Sequence, residues 1–154
     1  MSKGNFLLGA VAAAVVLAGV AAYMQALTGG PTGPDPDNPE VVALGKTVYD
    51  ANCAECHGAN LEGEPNWRVK KPDGTLPAPP HDETGHTWHH ADDLLFDITK
   101  RGGAAVAPEG FKSGMPPFAD VITDAEIWAV LSFIKSRWPA PVRKRQERMS
   151  ERSG

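Results

Sequence analysis

The apolar positions of this chain fall into blocks with different periods, and each block predicts a different element. The first is continuous: from Phe6 to Leu27 only Gln25 carries a polar side chain. A bilayer-crossing helix needs about 20 such residues, so this run predicts a transmembrane anchor over 6–27. Lys3 precedes it, and the next Lys or Arg is Lys46. That bias predicts a cytoplasmic N-terminus over 1–5 and an exported body. A cleaved signal peptide is the rival, with small residues at Val20 and Ala22, although its apolar core is usually only roughly 7–15 residues long. Residues 28–39 hold 4 prolines and 3 glycines, which predicts a semi-extended linker reaching at most roughly 35–40 Å at about 3.1 Å per residue.

Beyond the linker the period becomes helical. In "PEVVALGKTVYDANC" Val42, Gly45, Tyr49 and Val48 share a face, with Pro39 and Glu40 suited to the first turn. "HADDLLFDITKRGG" is acidic at its start and basic at its end, with Leu94, Leu95 and Ile98 inside and a glycine stop. "TDAEIWAVLSFIKSRWP" carries a Thr123–Glu126 capping box, a stripe of Ile127, Val130, Leu131, Ile134 and Trp138, and a stop at Pro139. No strand alternation competes, so the body over 40–138 is all-α. Two long segments, 58–91 and 102–120, are rich in Gly, Pro and polar residues. Loops of that length are uncommon in a small domain, and three helices make a thin core. A bound cofactor accounts for both.

Charge narrows the partners. Residues 35–136 hold 8 Lys/Arg against 17 Asp/Glu, and 137–154 hold 6 against 2. The acidic body excludes nucleic acid as a main partner, since phosphate binding needs clustered positive charge. The basic segment 139–154 lacks an apolar stripe and reads as a disordered, solvated tail. Its alternative role is contact with anionic lipid or a protein.

The two cysteines stand in "CAECHG", residues 53–58. A disulfide across two residues closes almost no loop, and thiol exchange belongs in a strand–helix context. Zinc could draw on His86 and His90, but 29 residues separate Cys56 from His86, against roughly 12–15 in a zinc finger. Cys-x-x-Cys-His is the signature of haem c attachment, with Cys53 and Cys56 as thioether donors and His57 beside the iron. A sixth ligand would be Met115 in "KSGMPPF", the one methionine in the body; a soft thioether favours ferrous iron.

These residues together resemble a class I cytochrome c, with a single haem and a membrane anchor. The resemblance spans 40–138 and implies three to four short helices wrapped by long loops around one covalently bound haem c, preceded by the N-terminal transmembrane helix. It implies His57 and Met115 as axial ligands and a helix crossing made by Gly45 and Tyr49 against Val130 and Phe133. It also implies a proline carbonyl holding the proximal histidine, supplied by Pro79 or Pro80. The implied function is one-electron transfer, not enzymatic turnover. The implied partners are a quinol–cytochrome c reductase, a terminal oxidase or a dehydrogenase at the periplasmic face of the inner membrane. The histidines of "HDETGHTWHH" (His81, His86, His89 and His90) read as solvated in a loop packed on the haem edge, with Trp88 against the porphyrin or a propionate. The alternatives are a copper or metal-handling site in that loop, iron ligation by one of its histidines, or a haem enzyme with an open iron position.

Overall fold

The computed structural model describes residues 30–153. The anchor expected over 6–27 lies outside them, and among the described residues no helix is long and apolar enough to cross a membrane. The described chain is helical and without strands. Its helices are α1 (Pro39–Asn52), α2 (Ala54–His57), α3 (Asp92–Arg101), α4 (Gly103–Val106), α5 (Asp124–Ser136) and α6 (Ala140–Ser150), with a 3₁₀ turn at Thr87–His89.

Helix α1 starts where Asn38 turns its side chain onto the Glu40 and Val41 amides, satisfying donors that a helix start leaves free. Pro39 follows in the first turn, where a missing N–H costs nothing. Helix α5 opens with the expected capping box of Thr123 and Glu126. Ile127, Val130, Leu131, Ile134 and Trp138 are all buried, as their spacing requires. The two helices cross at Gly45. A Cβ there would overlap the Ala129 carbonyl oxygen, so only glycine allows this approach. Tyr49 and Phe133 pack beside the crossing with ring centroids 5.3 Å apart. Val130 is buried, but the residue facing the glycine is Ala129, one position earlier than expected.

Helix α3 packs on α5 through Phe96, whose ring stacks on Trp128 at 4.4 Å. Its buried positions are Leu95 and Thr99. Leu94, expected inside, is 39% exposed, because one residue of helix rotation carries it off the Leu95–Thr99 face.

Two expectations about the flanks need correction. The segment 139–154 is not a disordered tail: Ala140–Ser150 is a helix. Pro141 falls in its first turn, where proline fits. The helix is held by polar contacts instead of an apolar stripe. Gln146 is fully buried, and the two N–H bonds of its Nε2 are shared among the His90 carbonyl (3.1 Å), Asp92 Oδ1 (2.7 Å) and Ser150 Oγ (3.0 Å). Asp92 in turn receives Lys135 Nζ at 2.8 Å, with the Lys135 side chain only 4% exposed. The second correction concerns the linker. Its distal half lies against the body, where the Asp35 amide donates to Ser132 Oγ (2.8 Å) and Asp37 pairs with Arg143 (2.8 Å).

Candidate haem-attachment site

Cys53 ends α1 and caps α2, a single turn that carries Cys56 and His57. The Cys56 and His57 amides both donate to the Cys53 carbonyl, at 3.2 and 3.0 Å. Both thiols are free, with Cys56 exposed and Cys53 half-buried. Burial and the neighbouring Cys56 push the Cys53 thiol up to about 11, so it stays protonated at neutral pH.

His57 is 7% exposed. Its Nδ1 lies 2.9 Å from the Pro79 carbonyl oxygen. A carbonyl only accepts, so Nδ1 carries the proton and Nε2 keeps a free lone pair. Of the two candidate prolines, Pro79 makes the contact. Burial lowers the imidazole pKa, against the opposing pull of the Pro79 bond and the Glu64 charge. A neutral ring with a fixed tautomer is what iron ligation requires.

The loop holds the Pro79 carbonyl in place. Glu64 grips Ala78 twice: its amide donates to the Ala78 carbonyl at 2.8 Å, and its Oε2 accepts from the Ala78 amide at 2.6 Å. Leu61 has φ +70° and is 2% exposed. This left-handed backbone is costly for a non-glycine residue and is offset by burial. It turns the Leu61 carbonyl onto the His81 amide at 2.7 Å. Tyr49, fully buried, donates its hydroxyl to the Gly58 carbonyl at 2.9 Å, tying α1 to the turn after His57. Burial, with nearby Cys53, raises its phenol pKa.

Met115 is half-buried in the segment before α5. Its amide donates to Ser113 Oγ (3.1 Å), and its carbonyl accepts from the Gly103 amide (3.3 Å). Gly102, at φ +82°, lets the Met115–Pro117 backbone lie on the end of α3; a Cβ there would stand 2.9 Å from Pro117 N. The structure thus gathers Cys53, Cys56 and His57 on one turn and fixes Met115 separately, against the α3–α4 junction.

The histidine-rich loop divides in two. His81 is packed instead of solvated: its ring stacks on His57 with centroids 4.0 Å apart, and burial pushes its pKa well below the ordinary value. His86 lies outside, parallel to Trp67 at 5.2 Å and edge-on to His90 at 5.2 Å. Trp88 lies against His89 at 3.7 Å and beneath the Arg145 guanidinium at 4.9 Å. Among the described residues no three His, Cys, Asp or Glu side chains converge in a way that could hold a metal ion.

The two thiols and the free Nε2 on one turn fit a covalently attached porphyrin. The proximal proline was only half legible in the sequence; the Glu64–Ala78 clamp and the His57–His81 stack were missed, since neither has a local sequence signal.

Comparisons with known proteins agree. The Cytochrome c family model matches residues 42–138. Cytochrome c-555 of Prosthecochloris aestuarii is 49% identical over 67 residues, covering 40% of this chain and 68% of that protein. The Cbb3-type cytochrome c oxidase subunit FixP of Sinorhizobium medicae (strain WSM419) is 28% identical over 100 residues, 65% of this chain but only 31% of the subunit. The solved structure of Cytochrome CL from the marine methylotrophic bacterium Methylophaga aminisulfidivorans MPT shares the fold, with a TM-score of 0.50 at 21% identity over 80% of this chain and 70% of that one.

Proposed function

This chain belongs to the cytochrome c family, as a class I c-type cytochrome with covalently bound haem c, and from that premise we propose that it carries single electrons between membrane redox complexes with its iron held by His57 and Met115. The bound haem supplies a reversible one-electron couple. Cys53 and Cys56 would hold the porphyrin through two thioether bonds, and His57 would offer Nε2 to the iron. The observation that carries the reading is the 2.9 Å contact between His57 Nδ1 and the Pro79 carbonyl, which leaves Nε2 free and so supports that role. The Pro79 bond also shares electron density with the ring and raises its basicity as a ligand.

Met115 completes the pair. Its segment is fastened at both ends of the residue, by Ser113 and by Gly103. With Met115 as well as His57 on the iron no position would stay open for turnover, which supports a carrier over an enzyme. The acidic body and the likeness to a cbb3 oxidase subunit over 100 residues support a respiratory donor or acceptor. The apolar run from Phe6 to Leu27 supports an inner-membrane anchor with the haem domain on the periplasmic side.

Two measurements test this. Acid–acetone extraction should leave the haem on the chain, and freely extracted haem would contradict the attachment. Fractionation of the native source should leave the intact chain in the membrane pellet. A mature protein beginning near Tyr23 in the periplasmic fraction would replace the anchor with a cleaved signal.

A further inference from the structure

His81 lies against the proximal imidazole, with ring centroids 4.0 Å apart and planes inclined by 21°. The hydrogen bond to Pro79 fixes one direction of the His57 ring, but a single bond leaves the plane free to swing about its own axis. A second ring across one face removes that freedom. His81 is itself held firmly. Its amide donates to the Leu61 carbonyl (2.7 Å), its carbonyl accepts the Trp138 indole N–H (2.7 Å), and its Nδ1 stands 2.7 Å from Thr87 Oγ1. Thr87 is buried in the 3₁₀ turn of the long loop. The Tyr49 ring also meets His81 edge-on, with centroids 6.4 Å apart.

We propose that His81 is a positioning residue that sets the plane of the His57 imidazole about its bond to the haem iron, and that Thr87 orients His81 for this task. The proposal rests on His57 as an iron ligand. It also gives the long loop a purpose: the loop delivers Thr87 and, through it, a rigid wall for the proximal ring. A plain space-filler would need no partner at Nδ1, whereas here Nδ1 has one at hydrogen-bond distance.

The plane of an axial imidazole relative to the porphyrin nitrogens decides which iron d orbital its π system overlaps. That choice governs the ferric g values and the pattern of unpaired spin over the haem methyl groups. A role confined to packing would alter stability without moving either.

The test uses the full holo-protein and the variants His81→Ala, His81→Phe and Thr87→Val. Electron paramagnetic resonance and haem-methyl NMR shifts are read on the ferric form, and the potential is read by titration. His81→Ala should change the g spread and reorder the methyl shifts. It should also lower the potential, because a more solvated proximal side favours the ferric charge. His81→Phe keeps a flat ring and should stay near wild type, while Thr87→Val should fall between. If His81→Ala does not accumulate, Thr87→Val carries the same test. Wild-type g values and methyl order in His81→Ala, or in Thr87→Val where that variant stands in for it, would overturn the proposal. A His57→Ala variant that retained the low-spin wild-type spectrum would remove the ligation premise, and the proposal with it; a changed His81→Ala spectrum beside lost ligation in His57→Ala supports it.

Discussion

Glu64 and Ala78 hold each other by two hydrogen bonds, a backbone bond of 2.8 Å and a carboxylate–amide bond of 2.6 Å. The pair lies one residue before Pro79, so the clamp sets the carbonyl that His57 uses. The Ala78 amide, and then Lys71, hold the Glu64 carboxyl below its ordinary value of 4.5. A lowered folded value means the stabilisation is fully present above about 4.5 and disappears as pH falls through the folded value. Glu64→Gln should therefore be less stable than wild type at neutral pH, with the difference closing below about pH 4.5. Thermal melts of the two proteins across pH 3–7 check this, and a gap that stays constant to pH 3 would speak against the clamp.

The α1–α5 crossing tolerates no side chain at position 45. Gly45→Ala places a methyl group on the Ala129 carbonyl oxygen, and the resulting separation of the helices should cost about 1–3 kcal/mol. The control is Gly33→Ala, where an added Cβ meets nothing within 4 Å. Denaturant midpoints should fall for the first and hold for the second. Equal midpoints would mean that the helices do not meet at this glycine.

Helix α6 depends on Gln146. Gln146→Ala leaves the His90 carbonyl and part of the Asp92 carboxylate without their donor, a loss of about 1–3 kcal/mol for buried groups. Lys144→Ala, on the exposed side, should change stability by less than about 0.5 kcal/mol. Chemical denaturation of both distinguishes a docked helix from a solvated tail, for which neither change would register.

Those three features differ in how far the chain announces them. The α5 stripe and its capping box are local and periodic, so the sequence shows them directly. Cys53, Cys56 and His57 are adjacent and equally plain. Helix α6 hides because it buries an amide and not an apolar stripe, and hydrophobic periodicity registers only the latter. The choice of Pro79 over Pro80 depends on how a loop of some twenty residues folds back, which Glu64 and Ala78 decide across 14 positions. Ala129 replaces Val130 at the crossing because a close backbone approach selects a carbonyl oxygen, and a pattern of side-chain types carries no record of that. His81 shared the fate of its loop: four histidines in ten residues suggested one common role, whereas tertiary packing separates His81 from the other three.

The spectrum of Met115→Ala tests most directly the proposal that Met115 and His57 both ligate the iron. Wild-type ferric protein should show the weak far-red band of sulfur-ligated haem, and its ferrous form should bind carbon monoxide poorly. Met115→Ala should abolish the band, admit carbon monoxide and lower the potential, because the thioether's preference for ferrous iron is gone. Replacing His81, His86, His89 and His90 together should leave the band in place. The claim is contradicted if Met115→Ala retains the wild-type spectrum while the quadruple change destroys it.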